Sequence, residues 1–346
     1  MALNITLASS LLDLELGAAQ EQGGARPWRT GNPALDAALP PDLWRSGTVV
    51  GIGASGSGLG LDASANAASS LAHEIIATHL LDQQQQQQAE TGARASPRPD
   101  TGTHAPAPEP QASVYIVAPP DQGTSSIRLI YRLLSERISK TPPHSSTKTR
   151  PASPAATTAQ SLLARIALLQ YLDSAGLSEA LAEIHPPPSP QTTSTKAKAK
   201  TILLVQGLPA TVNATLRRSG LATSAALAAG VGGAIRAVVR GGRMCIGLVQ
   251  VEAGWAAPRD GRAMATAFAA ASGRVLGATG VVSAALWRVV LAGMDVLVVV
   301  HDADGRVDGR GDKKDIGVVE VVRDERVDCA GGASAAGAWA VWEVRD

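Results

Sequence analysis

Short apolar runs alternate with amphipathic stretches along most of this chain. The first clear pair is Thr48-Val49-Val50-Gly51-Ile52, which reads as a buried strand, followed by a glycine-rich turn and a helix pattern over 61–81 with Leu71, Ile75 and Leu80 near one face. Before it, Leu11-Leu12-Asp13-Leu14-Glu15-Leu16 is a short amphipathic segment, and Thr30-Gly31-Asn32-Pro33 opens a turn into a short helix ending near Leu39. Further on, the pattern predicts strands at 113–118, 166–172, 201–205 and 244–251. Helices are expected at Ile127 to Ile138, after Asp173 or Ser174, and from about Ala222 to Val239. The end reads as a meander of three strands, at 295–300, 317–322 and 339–344.

Three stretches break this rhythm. Gln83 to Gln88 is a glutamine run that leads into Pro, Thr, Ala and Gly, and 140–160 and 186–200 are rich in Pro, Ser, Thr and Lys. Such segments carry too little apolar surface to offset the entropy of ordering, so 83–110, 140–160 and 186–200 are expected to be disordered inserts. The domain reading is an N-terminal segment over 1–28 and one core over 29–346. Strands alternating with helices predict a mostly parallel sheet covered on both faces, with the C-terminal strands adding an antiparallel edge.

Composition adds exclusions. The 346 residues carry a net charge of +1, so bulk charge favours no particular partner. Aromatics are only 3%, which leaves the core to aliphatic side chains. Cys245 and Cys329 are the only cysteines, too few for a disulfide framework or a cysteine zinc site. Met1 to Ala19 carries Asp13 and Glu15 with no basic residue before Arg26, which fits neither a secretory signal nor an Arg-rich transit peptide. The apolar stretch Leu221–Ile235 is short and rich in Gly and Ala, and Val275–Val300 is interrupted by Arg288 and Asp295, so no membrane span is expected.

The chemistry concentrates in Gly53-Ala54-Ser55-Gly56-Ser57-Gly58-Leu59-Gly60. Laid on the phosphate-loop pattern G-x-x-x-x-G-K-[ST], it keeps the glycines, but the lysine position holds Leu59 and the hydroxyl position holds Gly60. Backbone N–H groups could cradle a phosphate, with no ammonium for the β/γ-phosphates and no hydroxyl for Mg²⁺. The bland alternative is a glycine turn that only lets strand and helix pack closely. Other patterns are weaker. Asp302-Ala303-Asp304-Gly305-Arg306-Val307-Asp308 echoes a calcium loop but has Lys313 where the closing glutamate belongs, so a hairpin turn is expected. No histidine pair has metal-ligand spacing, and no G-x-S-x-G elbow is present.

Four stretches together resemble the RecA-like core of eukaryotic strand-exchange recombinases and their paralogues. They are Thr30-Gly31 with Leu35-Asp36 and Leu39 ahead of Gly47 and the glycine loop; Leu168 to Ile184; Gln250-Val251; and Leu286-Trp287-Arg288 followed by Met294-Asp295-Val296-Leu297. The resemblance spans about 29–346 outside the inserts. It implies a RecA-like P-loop NTPase core: an α/β fold with a twisted sheet and low-complexity inserts. It also implies what catalysis would need, namely a carboxylate after the second strand and an acid ending the fourth. Here those positions hold Val117-Ala118-Pro119 and Gln206. The expectation is a divergent paralogue with degenerate ATPase motifs and no catalytic residue, leaving room for ATP binding without hydrolysis through Gly53 to Gly60. It would pair with another RecA-like recombinase or paralogue in the nucleus, in DNA repair by homologous recombination. In this family the loops after strands four and five approach DNA, which nominates Arg217 and Arg218 on the first and Arg259, Arg262 and Arg274 on the second for single-stranded DNA. Phe268-Ala269-Ala270-Ala271 matches the family's F-x-x-A interface motif but lies after strand five, where it reads as ordinary helix. The rival is a RecA-like subunit of the Elongator complex, which acts on transfer RNA and also lacks ATPase motifs. Leu286-Trp287 and the glycine cradle favour the recombinase resemblance. A weak DNA-dependent ATPase using non-standard residues is a third reading.

Overall fold

A computed structural model describes residues 28–40, 42–56, 61–93, 112–140, 154–184, 200–241, 244–256, 275–277, 284–307, 313–326 and 334–343. The chain enters through helix α1 (Pro33–Ala38), where Pro33 fits the first turn and the Asn32 side chain accepts from the N–H groups of Ala34 and Leu35. Then come β1 (Val49–Gly56), α2 (Leu61–Ala93), β2 (Val114–Ala118), α3 (Pro120–Lys140), α4 (Pro154–Leu163), β3 (Ile166–Gln170) and α5 (Ser174–Ile184). The second half holds β4 (Thr201–Val205), α6 (Leu208–Arg240), β5 (Cys245–Ala256), β6 (Val275–Gly277), α7 (Ala284–Ala292), β7 (Val296–Val307), β8 (Lys313–Asp324) and β9 (Trp339–Glu343).

These strands form one sheet in the order β3-β2-β4-β5-β1-β7-β8-β9, with β6 pairing β5. The contacts among β1 to β5 and between β1 and β7 are parallel, whereas β6, β8 and β9 pair antiparallel. This is the mostly parallel α/β sheet with antiparallel C-terminal strands that the sequence predicts. Strand alternation divides the core into two layers. Val50, Ile52 and Ala54 of β1 face a layer with Leu71 and Ile75 of α2 and Ile130 of α3. Val49 faces the other layer, with Leu181 of α5, Ile235 of α6 and Leu286 of α7.

Several boundaries differ from the sequence reading. Helix α2 runs on through Gln83 to Ala93, inside the first expected insert. Glutamine is a fair helix former, and extending an existing helix needs no new nucleus. The extension is also tied down: Gln83 Nε2 donates to the Lys200 carbonyl at 3.0 Å, and Arg165 Nη2 donates to Gln87 Oε1 at 2.5 Å. Helix α4 likewise begins within the 140–160 stretch. The rest of the first two inserts, and 186–199 of the third, lie outside the described residues. Among the described residues Trp28 is buried, its indole meeting the His79 ring at 4.7 Å and donating to Ser46 Oγ at 3.2 Å.

Helix α6 begins at Leu208 instead of near Ala222 and is interrupted at Gly220, whose φ of +83° is left-handed. By length and composition alone α6 could cross a bilayer. It carries a buried stripe, Ala228, Val231, Ile235, Val238 and Val239, at the spacing of a helix packed on a sheet. The calcium-like stretch is strand as far as Val307, and its last residue, Asp308, lies outside the described residues.

Candidate functional site

In open α/β sheets ligands bind beyond the carboxyl ends of the strands. At that edge the register sets Val117 beside Val205, Val205 beside Val249, and Ile52 beside Gln250. Pro119, Gln206 and Gln250 therefore approach one level across β2, β4 and β5, next to Gly53 of β1. Pro119 and Gln206 stand where the resemblance implies carboxylates, and Gln250 belongs to the stretch that resembles the family's end of strand five.

A run of hydrogen bonds fills the place. His73 Nε2 on α2 and Ser126 Oγ on α3 are 2.9 Å apart, and Ser126 Oγ donates to Gln206 Oε1 at 2.8 Å. Gln206 Nε2 donates to Gln250 Oε1 at 3.2 Å, and Gln250 Nε2 donates to Ser69 Oγ of α2 at 2.8 Å. His73, Ser126 and Gln206 are 1%, 1% and 3% exposed, so the inner half is sealed from water. Burial pushes the His73 imidazole down to about 4, which keeps it neutral at pH 7. Every member of the run is thus uncharged.

The backbone around Gln206 is fixed as well. The Tyr171 hydroxyl donates to the Gln206 carbonyl at 2.6 Å and accepts from Thr211 Oγ1 at 3.4 Å. Burial raises the phenol pKa against a smaller opposing effect of the Thr211 hydrogen bond. Gly207 then turns the chain into α6 with φ +73°, and a Cβ there would sit 2.6 Å from Pro119 Cγ and 2.9 Å from the Tyr171 hydroxyl. Only glycine satisfies both the left-handed backbone and the close approach.

Chemically, such an edge can donate and accept hydrogen bonds. The run itself holds no carboxylate for Mg²⁺ (Glu320, bound to His301 at 2.8 Å, lies across β7 from Gly53), and a histidine titrating near 4 is poorly matched to general base work at pH 7. Among the described residues no group of three His, Cys, Asp or Glu side chains could hold a metal ion.

The sequence-nominated residues are distributed unevenly. Gly53, Ala54, Ser55 and Gly56 lie in β1, paired with 251–254 of β5, and Gly53 to Ser55 also pair with 299–301 of β7. The strand therefore runs four residues into the stretch expected to form the phosphate turn, because neighbouring strands on both sides extend with it. Ser57, Gly58, Leu59 and Gly60 lie outside the described residues. Arg217 and Arg218 are exposed but stand on α6, not on a loop, since the helix starts directly after Gly207. Arg259, Arg262, Arg274 and Phe268 lie outside the described residues. The fold gathers Gln206, Gln250 and β1 and leaves Arg217 and Arg218 on a separate surface. Ser69, His73, Ser126 and Tyr171 were not singled out by sequence. The available signal was polarity on a core-facing stripe: His73 lies one turn before Ala77, and Ser126 one turn before Ile130, both buried.

No protein-family model matches the chain, and no curated protein matches it. Among solved structures it is similar to the crystal structure of the RadB recombinase, at 11% identity and a TM-score of 0.48, over 92% of this chain and 96% of that one.

Proposed function

We propose that this chain is a non-catalytic RecA-like recombinase paralogue, a scaffold or mediator subunit that pairs with another RecA-like protein in homologous recombination in the nucleus. The observation that carries the reading is the neutral run at the strand ends. Gln206, at a position where hydrolysis would need charge, is engaged with Ser126 and with Gln250, which in turn reaches Ser69. Pro119 and Leu59 add no charge at the two remaining positions. A fold that has lost its chemistry still offers its surfaces for assembly, and function follows the site and not the fold. Arg217 and Arg218, two exposed cations side by side on α6, are the proposed contacts to single-stranded DNA phosphates.

Affinity capture of the tagged chain from nuclear extract, followed by mass spectrometry, tests the pairing. Another RecA-like recombination protein should be recovered in stoichiometric amount. Recovery of Elongator subunits, or of no RecA-like protein, would remove this reading.

A further inference from the structure

Strand β9 is the last in the sheet order, and its residues read Trp-Ala-Val-Trp-Glu. Ala340 and Trp342 turn into the core layer that holds Leu35 of α1, and Trp342 is fully buried. Trp339 and Val341 turn to the opposite face, where they are 50% and 48% exposed. A lateral strand offers its outward N–H and C=O groups as a template for another strand. Natural sheets guard such strands with lysine, proline, a bulge or a cover. β9 holds neither lysine nor proline, and it pairs with β8 from Glu343 opposite Ile316 to Trp339 opposite Glu320 in unbroken register. Of those guards, a cover is the one left for it.

The same chain carries a segment that fits. Leu12, Leu14 and Leu16 alternate with Asp13 and Glu15, a period of two that would set three leucines on one face of a strand and two acids on the other. These positions lie outside the described residues. Residues 17–27 join them to Trp28, whose ring lies 5.2 Å from Lys200 Nζ, one residue before β4. A connector of that length reaches at most roughly 36–40 Å. β9 is five strands along the sheet from β4, a span of about 24 Å at about 4.8 Å per strand. The chain also returns to β9 soon after Trp28, because α1 begins at Pro33 and packs on that strand.

We propose that residues 11–16 add to β9 as a tenth strand, with their leucines beside Trp339 and Val341 and their acids on the other face, and so keep this side of the sheet from pairing with other chains. Main-chain hydrogen bonds give such an addition its affinity, and the alternating side chains give it its register. A short tether holds the segment at an effective concentration on the order of millimolar, above that of a second copy in ordinary solution. Neither a RecA-like partner nor DNA is required.

Hydrogen–deuterium exchange of the full chain, read on peptides covering 339–343, tests the addition. The β9 amides that point away from β8 should exchange at least about tenfold more slowly in the wild type than in the triple variant Leu12→Ser, Leu14→Ser, Leu16→Ser, at every protein concentration. A synthetic peptide of residues 8–19 should restore protection to that variant, and the same peptide with the three serines should not. Equal exchange in wild type and variant would overturn the proposal. So would protection that grows with protein concentration, because a second copy would then be the cover. Exchange over β1 and β4 reports whether the variant folds. If it does not, Val341→Lys supplies the contrast: a charge beside the leucines should speed exchange over 11–16, and unchanged exchange there would overturn the proposal as well.

Discussion

At the amino ends of the strands, charge meets charge. Asp295, just before β7, accepts from the Val49 N–H at 2.8 Å and from Arg240 Nη2 of α6 at 2.6 Å. At the end of α7, Arg323 donates to the Leu291 carbonyl and Arg236 to the carbonyls of Ala292 and Gly293, where the helix needs partners. Asp324 holds Arg326 at 2.6 Å, with both side chains nearly sealed from water, and Arg326 also reaches Asp42. At the carboxyl ends, where an ATPase would place its acids, His73, Ser126, Gln206, Gln250 and Ser69 meet without a charge among them. Ion pairs fasten one edge; at the other a neutral run joins α2, α3, β4 and β5, and His301 meets Glu320 at 2.8 Å between β7 and β8. The difference teaches that charged contacts anchor the amino ends of the strands, whereas the five side chains gathered at the carboxyl ends of β4 and β5 carry no charge.

The charged edge should break hardest. Removing one partner of a buried ion pair leaves an uncompensated charge, at a cost of about 3–5 kcal/mol. Asp324→Ala removes the buried carboxylate from Arg326, leaving it the more exposed Asp42, and also takes an acceptor from the Ala335 N–H. Guanidinium unfolding should show a loss of that size, and a loss below about 1 kcal/mol would mean the pair is dispensable.

Acid should separate the two edges. His73 and His79 titrate near 4 in the fold against 6.5 when free, for burial in both and, for His79, the nearby Lys200 charge as well. Their unfolded forms bind protons first, so the stability they confer is complete above 6.5 and falls as pH drops from 6.5 toward 4. Each shift corresponds to a loss on the order of 3 kcal/mol. Burial alone would raise Asp324, but the Arg326 side-chain hydrogen bonds and the N–H groups of Ala335 and Arg326 outweigh it and hold the carboxyl below its ordinary value. Its contribution is present above the ordinary carboxylate range and disappears only as pH falls through the lowered value. Stability plotted against pH should therefore fall in two limbs. His73→Gln should flatten the first limb by about half and spare the second, if the two histidines contribute equally. A single limb confined to the carboxylate range would show that the buried imidazoles titrate normally.

Much of the sheet was legible because buried parallel strands are continuous apolar runs, as at Thr201 to Val205, and the C-terminal meander alternates between turns. Composition misled where it stood in for physics. The glutamine run looked like low complexity, yet it continues a helix already nucleated upstream and docks on Lys200 and Arg165. Arg217 and Arg218 read as loop cations in the sequence because the helical pattern is clear only from about Ala222, past the Gly220 break. Gln206 stands out in the sequence as a missing acid and Gln250 as part of a family-like stretch. Their partnership was invisible, because the bonds join residues from 44 to 181 positions apart. Long-range pairing of neutral side chains leaves no local pattern to read.

The smallest expected effect concerns the surface that belongs to neither edge. Exposed arginines make few core contacts, so Arg217→Ala with Arg218→Ala should change stability by less than about 0.5 kcal/mol. If both meet phosphates, the salt dependence of single-stranded DNA binding should flatten by about 1.4 in log K against log salt. An unchanged slope in a partnered complex that does bind DNA would move the contact elsewhere.

The central claim, that a neutral hydrogen-bonded edge stands where hydrolysis would need charge, is tested most directly by ATP turnover. The purified chain, assayed with Mg²⁺ with and without single-stranded DNA and with its captured partner's own ATP site disabled, should release phosphate no faster than buffer. Release that rises with protein concentration and disappears in Gly58→Asp would contradict the account, because a working phosphate loop would then exist on this chain.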